Sequence, residues 1–257
     1  MQRPSSAEIH EGCRGLRMQR PAMIIQCWSG PRNISTALMY SWRQRPDMSV
    51  VDEPFYAFNM TLDTRGHPGA DEVIASQSTD PDDVIARVIF GEYPTPHLYV
   101  KQMAHHLVGV DRSHLARTEN LLLTRDPREM LPSLSVQVPA CTLADTGLIE
   151  SVELLDAVLA EGGRPIVIDS QRLLTDPAGV LGAVCAALGL EFDPVVLSWP
   201  AGPKPEDGVW AEHWYANVHR STGFADRAPS DHPVPERLGP ILDEAVPLYE
   251  RLLEYAL

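Results

Sequence analysis

The stretch Met23–Arg45, MIIQCWSGPRNISTALMYSWRQR, constrains the fold more than any other. Met23, Ile24 and Ile25, followed by Cys27 and Trp28, form a short apolar run expected to be a buried strand. Ser29-Gly30-Pro31 breaks it, and Ser35-Thr36 opens a helix-period segment through Ala37, Leu38, Met39 and Trp42. Strand, tight turn and helix in that order bring free backbone N–H groups and the positive end of a helix dipole to one spot. Proteins hold phosphate and sulfate groups at such spots. Arg32, Asn33, Ser35 and Thr36 add a cation and three short hydrogen-bonding side chains. The turn is therefore read as an anion-binding loop, against the plainer reading of a polar turn in an ordinary α/β unit. It is not a G-x-x-x-x-G-K-S/T loop, because Ile34 stands at the glycine position and no lysine precedes Ser35. It is not a dinucleotide G-x-G-x-x-G turn either.

The same alternation runs along the chain. Met48 to Val51 reads as a second strand, which Pro54 ends, leaving Asp52 and Glu53 at its carboxyl end. Residues 61–79 are polar and read as a surface excursion, and Asp80-Pro81 starts a helix through Ile89. Leu98 to Val100 is a strand running into Lys101, and Asn120 to Thr124 a strand running into Arg125 and a helix that carries Ser133. A helix over about residues 146–161, a strand at Pro165–Ile168 and an apolar helix from Pro177 to near Gly189 follow. Residues 233–257 are an amphipathic closing helix, facing the core or a second copy of the chain as a homodimer. Residues 1–20 show neither period and are expected to be a disordered tail, leaving 21–257 as a single domain. This pattern implies one parallel sheet covered on both faces.

Composition narrows the function. The formal charge is −14, so nucleic acid and anionic membrane surfaces are excluded as partners. Lys101 and Lys204 are the only lysines, so an anion site must be built mostly from arginine. Cys13, Cys27, Cys141 and Cys185 have no C-x-x-C spacing and are expected to be thiols in a reducing cytoplasm. No histidine cluster has ligand spacing, so no metal is implied.

Two separated segments resemble one family. S-G-P-R-N-I-S-T resembles the 5′-phosphosulfate loop of sulfotransferases, often P-R/K-S/T-G-S/T-T. L-L-T-R-D-P-R-E-M-L-P-S resembles their 3′-phosphate motif, in which an arginine and a serine grip one phosphate; here these are Arg125 and Ser133. V-I-D-S-Q-R-L-L-T-D-P, the V-K-Q-M-A-H-H segment and W-Y-A-N-V-H-R-S-T-G-F resemble later family segments, closest to bacterial sulfotransferase-like proteins. The resemblance runs from about residue 22 to 225. It implies a three-layer P-loop NTPase-like α/β fold with a central parallel sheet and a helical C-terminal cap. It also implies 3′-phosphoadenosine 5′-phosphosulfate as co-substrate and a small-molecule hydroxyl or amine as acceptor.

The donor is charged at both ends of its ribose, which suits two grips: Arg32, Asn33, Ser35 and Thr36 for the 5′ end, Arg125 and Ser133 for the 3′-phosphate. Taken singly, Arg125 reads sooner as an ion pair with Asp126 or Glu129, and Ser133 as an idle helix hydroxyl; as a pair in this context they read as a binding site. An acceptor hydroxyl needs a base. Glu53 resembles the glutamate of the branch whose loop carries arginine; His105 and His106 are the alternatives, because Met103 replaces the histidine of the K-x-H pattern. Lys101 is a candidate for steadying the departing sulfuryl oxygens. Trp210, Trp214 and Tyr215 are expected either to wall the acceptor pocket or to pack a cap, and Lys204 or Arg220 to lie over the nucleotide. The rival readings are a P-loop phosphotransferase, which the missing lysine disfavours, and a nucleotide-binding protein without turnover.

Overall fold

The run at Met23–Ser29 is the middle strand, β1, of a five-stranded sheet. Six of its seven residues are buried, as a strand covered on both faces requires. The other strands are β2 (Met48–Asp52), β3 (His97–Met103), β4 (Glu119–Thr124) and β5 (Ile166–Asp169). Their order is β2-β3-β1-β4-β5, all parallel. The computed structural model describes residues 17–63, 67–225 and 234–257.

The helices, in order, are α1 (Ser35–Trp42), α2 (Tyr56–Leu62), α3 (Ala70–Ser76), α4 (Pro81–Val84), α5 (Pro127–Gln137), α6 (Leu148–Ala160), α7 (Ser170–Thr175), α8 (Pro177–Leu188), α9 (Ala211–Trp214) and α10 (Gly239–Leu253). Strand alternation sorts the core into two layers. Ile25, Cys27, Tyr99, Leu121 and Ile168 face α1 and α8, where Leu38, Met39, Trp42, Leu181 and Val184 are buried. Trp28, Leu98, Val100, Leu122 and Val167 face α5, α6 and α10. Each large apolar side chain so enclosed contributes about 2 kcal/mol. A third cluster joins Tyr56, Ala57, Met60 and Val73 to Trp210, Ala211 and Tyr215, and docks the late segment onto α2 and α3.

Four expectations change. Residues 61–79 are not only an excursion: they hold α3, a helix too short and too exposed to show a period, with Val73 as its buried residue. The helix from Pro81 passes into a π-turn at Ile85–Ile89. The expected tail lies outside the described residues up to position 16, but Gln19 is tied down, exchanging both backbone hydrogen bonds with Tyr93 at 2.9 and 2.8 Å. The closing helix is shorter than expected, with Ala245, Tyr249 and Leu252 buried against the body. Cys27, Cys141 and Cys185 are buried free thiols, and Cys13 lies outside the described residues. No described helix is long and apolar enough to cross a membrane.

Candidate active site

The carboxyl ends of all five strands lie along one edge of the sheet, where open α/β sheets bind ligands. The residues that follow them are Gly30–Ile34, Glu53, Ala104–Leu107, Arg125 and Ser170. Arg32, Asn33, Ser35, Thr36, Glu53, His105, His106, Arg125 and Ser133 sit on this edge or on the elements leading from it, and Lys101 lies near the end of β3; Lys204, Trp210, Trp214, Tyr215 and Arg220 belong to the later segment.

The loop after β1 is shaped by two left-handed residues, Arg32 (φ 63°) and Ile34 (φ 61°), with Asn33 between them on the ordinary side. Such alternation of sign turns successive N–H groups toward one concave side, as in anion-binding nests. Ile34 thus occupies a glycine-like conformation with a β-branched side chain, at a cost of about 1–2 kcal/mol, while its side chain packs against the core below α1. The residue type departs from the familiar loop, while the backbone at Ile34 takes the left-handed conformation that glycine adopts most easily. No side chain caps the α1 N-terminus, whose first N–H groups remain open to a ligand. Ser35 and Thr36 occupy that first turn. Asn33 braces the loop by donating to the Leu123 carbonyl at 3.2 Å, and Ser170 donates to the Asn33 carbonyl at 3.1 Å.

The structure joins the two grips. Arg32 donates through Nε to Ser133 Oγ at 3.0 Å, and Arg125 donates through Nη1 to the Arg32 carbonyl at 2.8 Å. Arg125 also lies 3.5 Å from Glu129, the ion pair that its plain reading expected. Ser133 is not idle, and it faces the loop from α5. Among the described residues no carboxylate pairs with Arg32, whose guanidinium is half-buried. A cation withdrawn from water without a counter-ion is costly, and a bound anion offsets that cost.

Beside this loop the ends of β2 and β3 form a buried charge cluster. Lys101, 2% exposed, donates to Asp52 Oδ1 at 2.9 Å, to Tyr215 OH at 2.8 Å and to Glu53 Oε1. Its three N–H bonds are all taken, so none is left for a sulfuryl oxygen in this arrangement. Burial acts against the ammonium, yet the charges of Asp52 and Glu53 overcome it and hold the group well above the usual lysine range. Burial pushes the Glu53 carboxyl up to about 6, with Lys101 pulling it down and Asp52 adding to the rise. A carboxyl in that range titrates close to neutrality, as a general base requires.

His106 lies with Nδ1 3.9 Å from Glu53 Oε2 and stacks on Tyr56 at 4.7 Å, and His105 meets His106 edge-on at 4.6 Å. Burial draws His105 down to about 4 and His106 well below the usual range, so both are neutral at pH 7. Tyr56 in turn hydrogen-bonds His67, which tilts against Trp214 at 5.7 Å. Trp210 and Tyr215 are core residues of the docked late segment, while Trp214 and His67 are partly exposed beside them. Lys204 is used within its own loop, donating to the Pro200 and Gly202 carbonyls at 2.7 and 2.6 Å, and Arg220 donates to Asn217 at 2.6 Å. Neither bonds to the loop after β1, so the expectation that one lies over the nucleotide gains no contact here. Asp52, Tyr56 and His67 were not singled out as functional in the sequence. Their only signals were the acidic pair ending β2 and an aromatic three residues after Glu53.

A family model described as a sulfotransferase domain matches residues 23–256. The chain belongs to the sulfotransferase domain family. Solved structures similar to this sulfotransferase-family chain include the sulfotransferase domain of the Synechococcus PCC 7002 olefin synthase, at 15% identity and a TM-score of 0.57, covering 90% of this chain and 96% of that one. A sulfotransferase from Alicyclobacillus acidocaldarius matches at 15% identity and a TM-score of 0.54, covering 93% and 98%. These likenesses show the P-loop-like fold. Two Arabidopsis thaliana proteins named branched-chain-amino-acid aminotransferase-like proteins 1 and 2 are 36% and 33% identical over 230 residues. The match takes in 89% of this chain and 41% of each relative, so the chain spans less than half the length that those names describe. Among the described residues no group of histidine, cysteine and carboxylate side chains could hold a metal ion.

Proposed function

We propose that this family member transfers a sulfuryl group from 3′-phosphoadenosine 5′-phosphosulfate to a hydroxyl or amine of a small-molecule acceptor. The observation that carries the reading is Arg32, a half-buried cation without a carboxylate partner among the described residues, bonded to Ser133 beside the uncapped N-terminus of α1. The loop N–H groups, Ser35 and Thr36 take the 5′-phosphosulfate, and Asn33 holds the loop's shape. Arg125 and Ser133 take the 3′-phosphate, with Arg32 spanning both.

Transfer is in line. The acceptor oxygen or nitrogen bonds to sulfur while the bond from sulfur to the 5′-phosphate oxygen breaks, and the charge left on that phosphate meets the α1 dipole and Arg32. Glu53 removes the acceptor's proton. His105 and His106, both neutral, flank the acceptor side of Glu53 and offer hydrogen bonds without competing for the anionic donor.

The reading is tested by following transfer of radiolabelled sulfate from the donor to hydroxylated and amino acceptors in excess EDTA, across pH. The base acts only when ionised, so kcat/KM is expected to fall as pH drops through about 6, the value to which burial raises Glu53. Donor turnover that requires a divalent cation, or an acid limb at the ordinary carboxylate position, would count against it.

A further inference from the structure

Adjacent residues of a strand point to opposite faces of the sheet. Asp52 and Glu53 nevertheless converge on one ammonium. Asp52 ends β2 directly opposite Lys101 of β3 in register, so their side chains share a face. Glu53 has φ 41°, a left-handed value rare for a non-glycine residue and rarer before proline, and this turn swings its carboxylate back onto Lys101. Strain of that kind persists only where the surroundings enforce it, and it gathers at functional positions. Here it creates a pair of carboxylates competing for one cation.

The competition is unequal. The Asp52 side chain is fully buried and takes Lys101 at 2.9 Å, the Tyr215 hydroxyl at 2.8 Å and the Gly208 N–H at 3.3 Å. Tyr215 OH is itself held by the Trp210 indole at 3.0 Å. Glu53 has Lys101 as its side-chain hydrogen-bond donor, and its other oxygen is turned toward His106.

We propose that Asp52 is a positioning residue, which keeps the Lys101 ammonium shared and so prevents Glu53 from being locked in an exclusive ion pair, leaving its carboxylate able to take the acceptor's proton. The inference rests on Glu53 being the base. Without the Asp52 charge, Glu53 would be the one carboxylate left on Lys101, beside the neutral Tyr215 hydroxyl, and the neighbouring negative charge would be gone. Both changes act in one direction, making Glu53 more acidic and a poorer proton acceptor. The other titratable groups that face the pair are Tyr40 on α1, Tyr56 on α2, His105 and His106 after β3, and Tyr215 on the docked late segment, all of them neutral at pH 7. Behind Tyr40 and Tyr215 lie Asp207 and His219, paired with each other at 3.1 Å; the Asp207 carboxylate is taken up by the Tyr40 hydroxyl and the Lys204 N–H and makes no hydrogen bond to Lys101, so it does not replace the lost charge.

The test is a carbon-13 NMR titration of the Glu53 carboxyl in the whole chain, its signal assigned by its loss in Glu53→Gln. Asp52→Asn is expected to lower the midpoint by about one pH unit or more, and Asp52→Glu, which restores the charge, to bring it back toward the unsubstituted value. The acid limb of kcat/KM is expected to move down with it and kcat at neutral pH to fall, with affinity for adenosine 3′,5′-bisphosphate unchanged. A midpoint unchanged or raised in folded Asp52→Asn overturns the proposal. If that variant does not fold, Asp52→Ser carries the same expectation. Failure of the parent reading looks different: Glu53→Gln would then keep its activity, whatever the midpoint does.

Discussion

Glu53→Gln is expected to lower kcat by about a thousandfold while leaving nucleotide affinity within about twofold. The amide keeps the side chain's shape and can still accept from Lys101, but it cannot take a proton. The substitution also removes one of the two carboxylates on Lys101, which Asp52 and Tyr215 continue to hold, so the buried ammonium keeps partners. The variant should therefore fold, bind donor and stall. Rapid-quench measurement of a single turnover separates this outcome from slow product release. Activity near that of the unsubstituted chain would move the base to His105 or His106, whose depressed pKa values make them weaker proton acceptors at pH 7.

The second large effect is expected at Arg32. Arg32→Ala removes the cation that joins loop and α5, and affinity for adenosine 3′,5′-bisphosphate should fall by about 3 kcal/mol, roughly a hundredfold in Kd. The ligand-free protein should behave in the opposite way. Its Arg32 charge is half-buried without a carboxylate partner among the described residues, and the side-chain bond lost is the one to Ser133. Thermal unfolding without ligand is therefore expected at an unchanged or slightly higher temperature. A variant that loses stability and affinity together would mean that Arg32 is a structural brace.

The strand–turn–helix unit after β1, the parallel α/β architecture and the positions of Glu53 and Arg125 at strand ends were legible because each depends on local pattern, whereas the contacts of Arg32 with Ser133 and of Arg125 with the Arg32 carbonyl were not. An apolar run, a breaker and a helix period mark a strand–turn–helix wherever it sits in the sheet. Strand order was not legible, since the insertion of β3 between β2 and β1 is decided by how distant segments share the sheet. Lys101 was read as a residue facing the ligand, and the structure buries it. Its burial depends on Asp52, 49 positions away, and on Tyr215, 114 positions away, neither of which is marked by spacing. The left-handed turn at Glu53 runs against the extended preference of a residue before proline, so local rules point away from it. Ile34 is the converse case: a β-branched residue gives no sign of the left-handed backbone that the loop adopts there.

The proposed site takes a nucleotide carrying anions at both the 3′ and 5′ positions. Calorimetric titration of the chain with adenosine 3′,5′-bisphosphate and with AMP, in EDTA at one ionic strength, tests it most directly. The bisphosphate is expected to bind at least about tenfold more tightly, because only it engages Arg125 and Ser133 through a charge-assisted contact. Equal affinity for the two nucleotides would contradict the assignment.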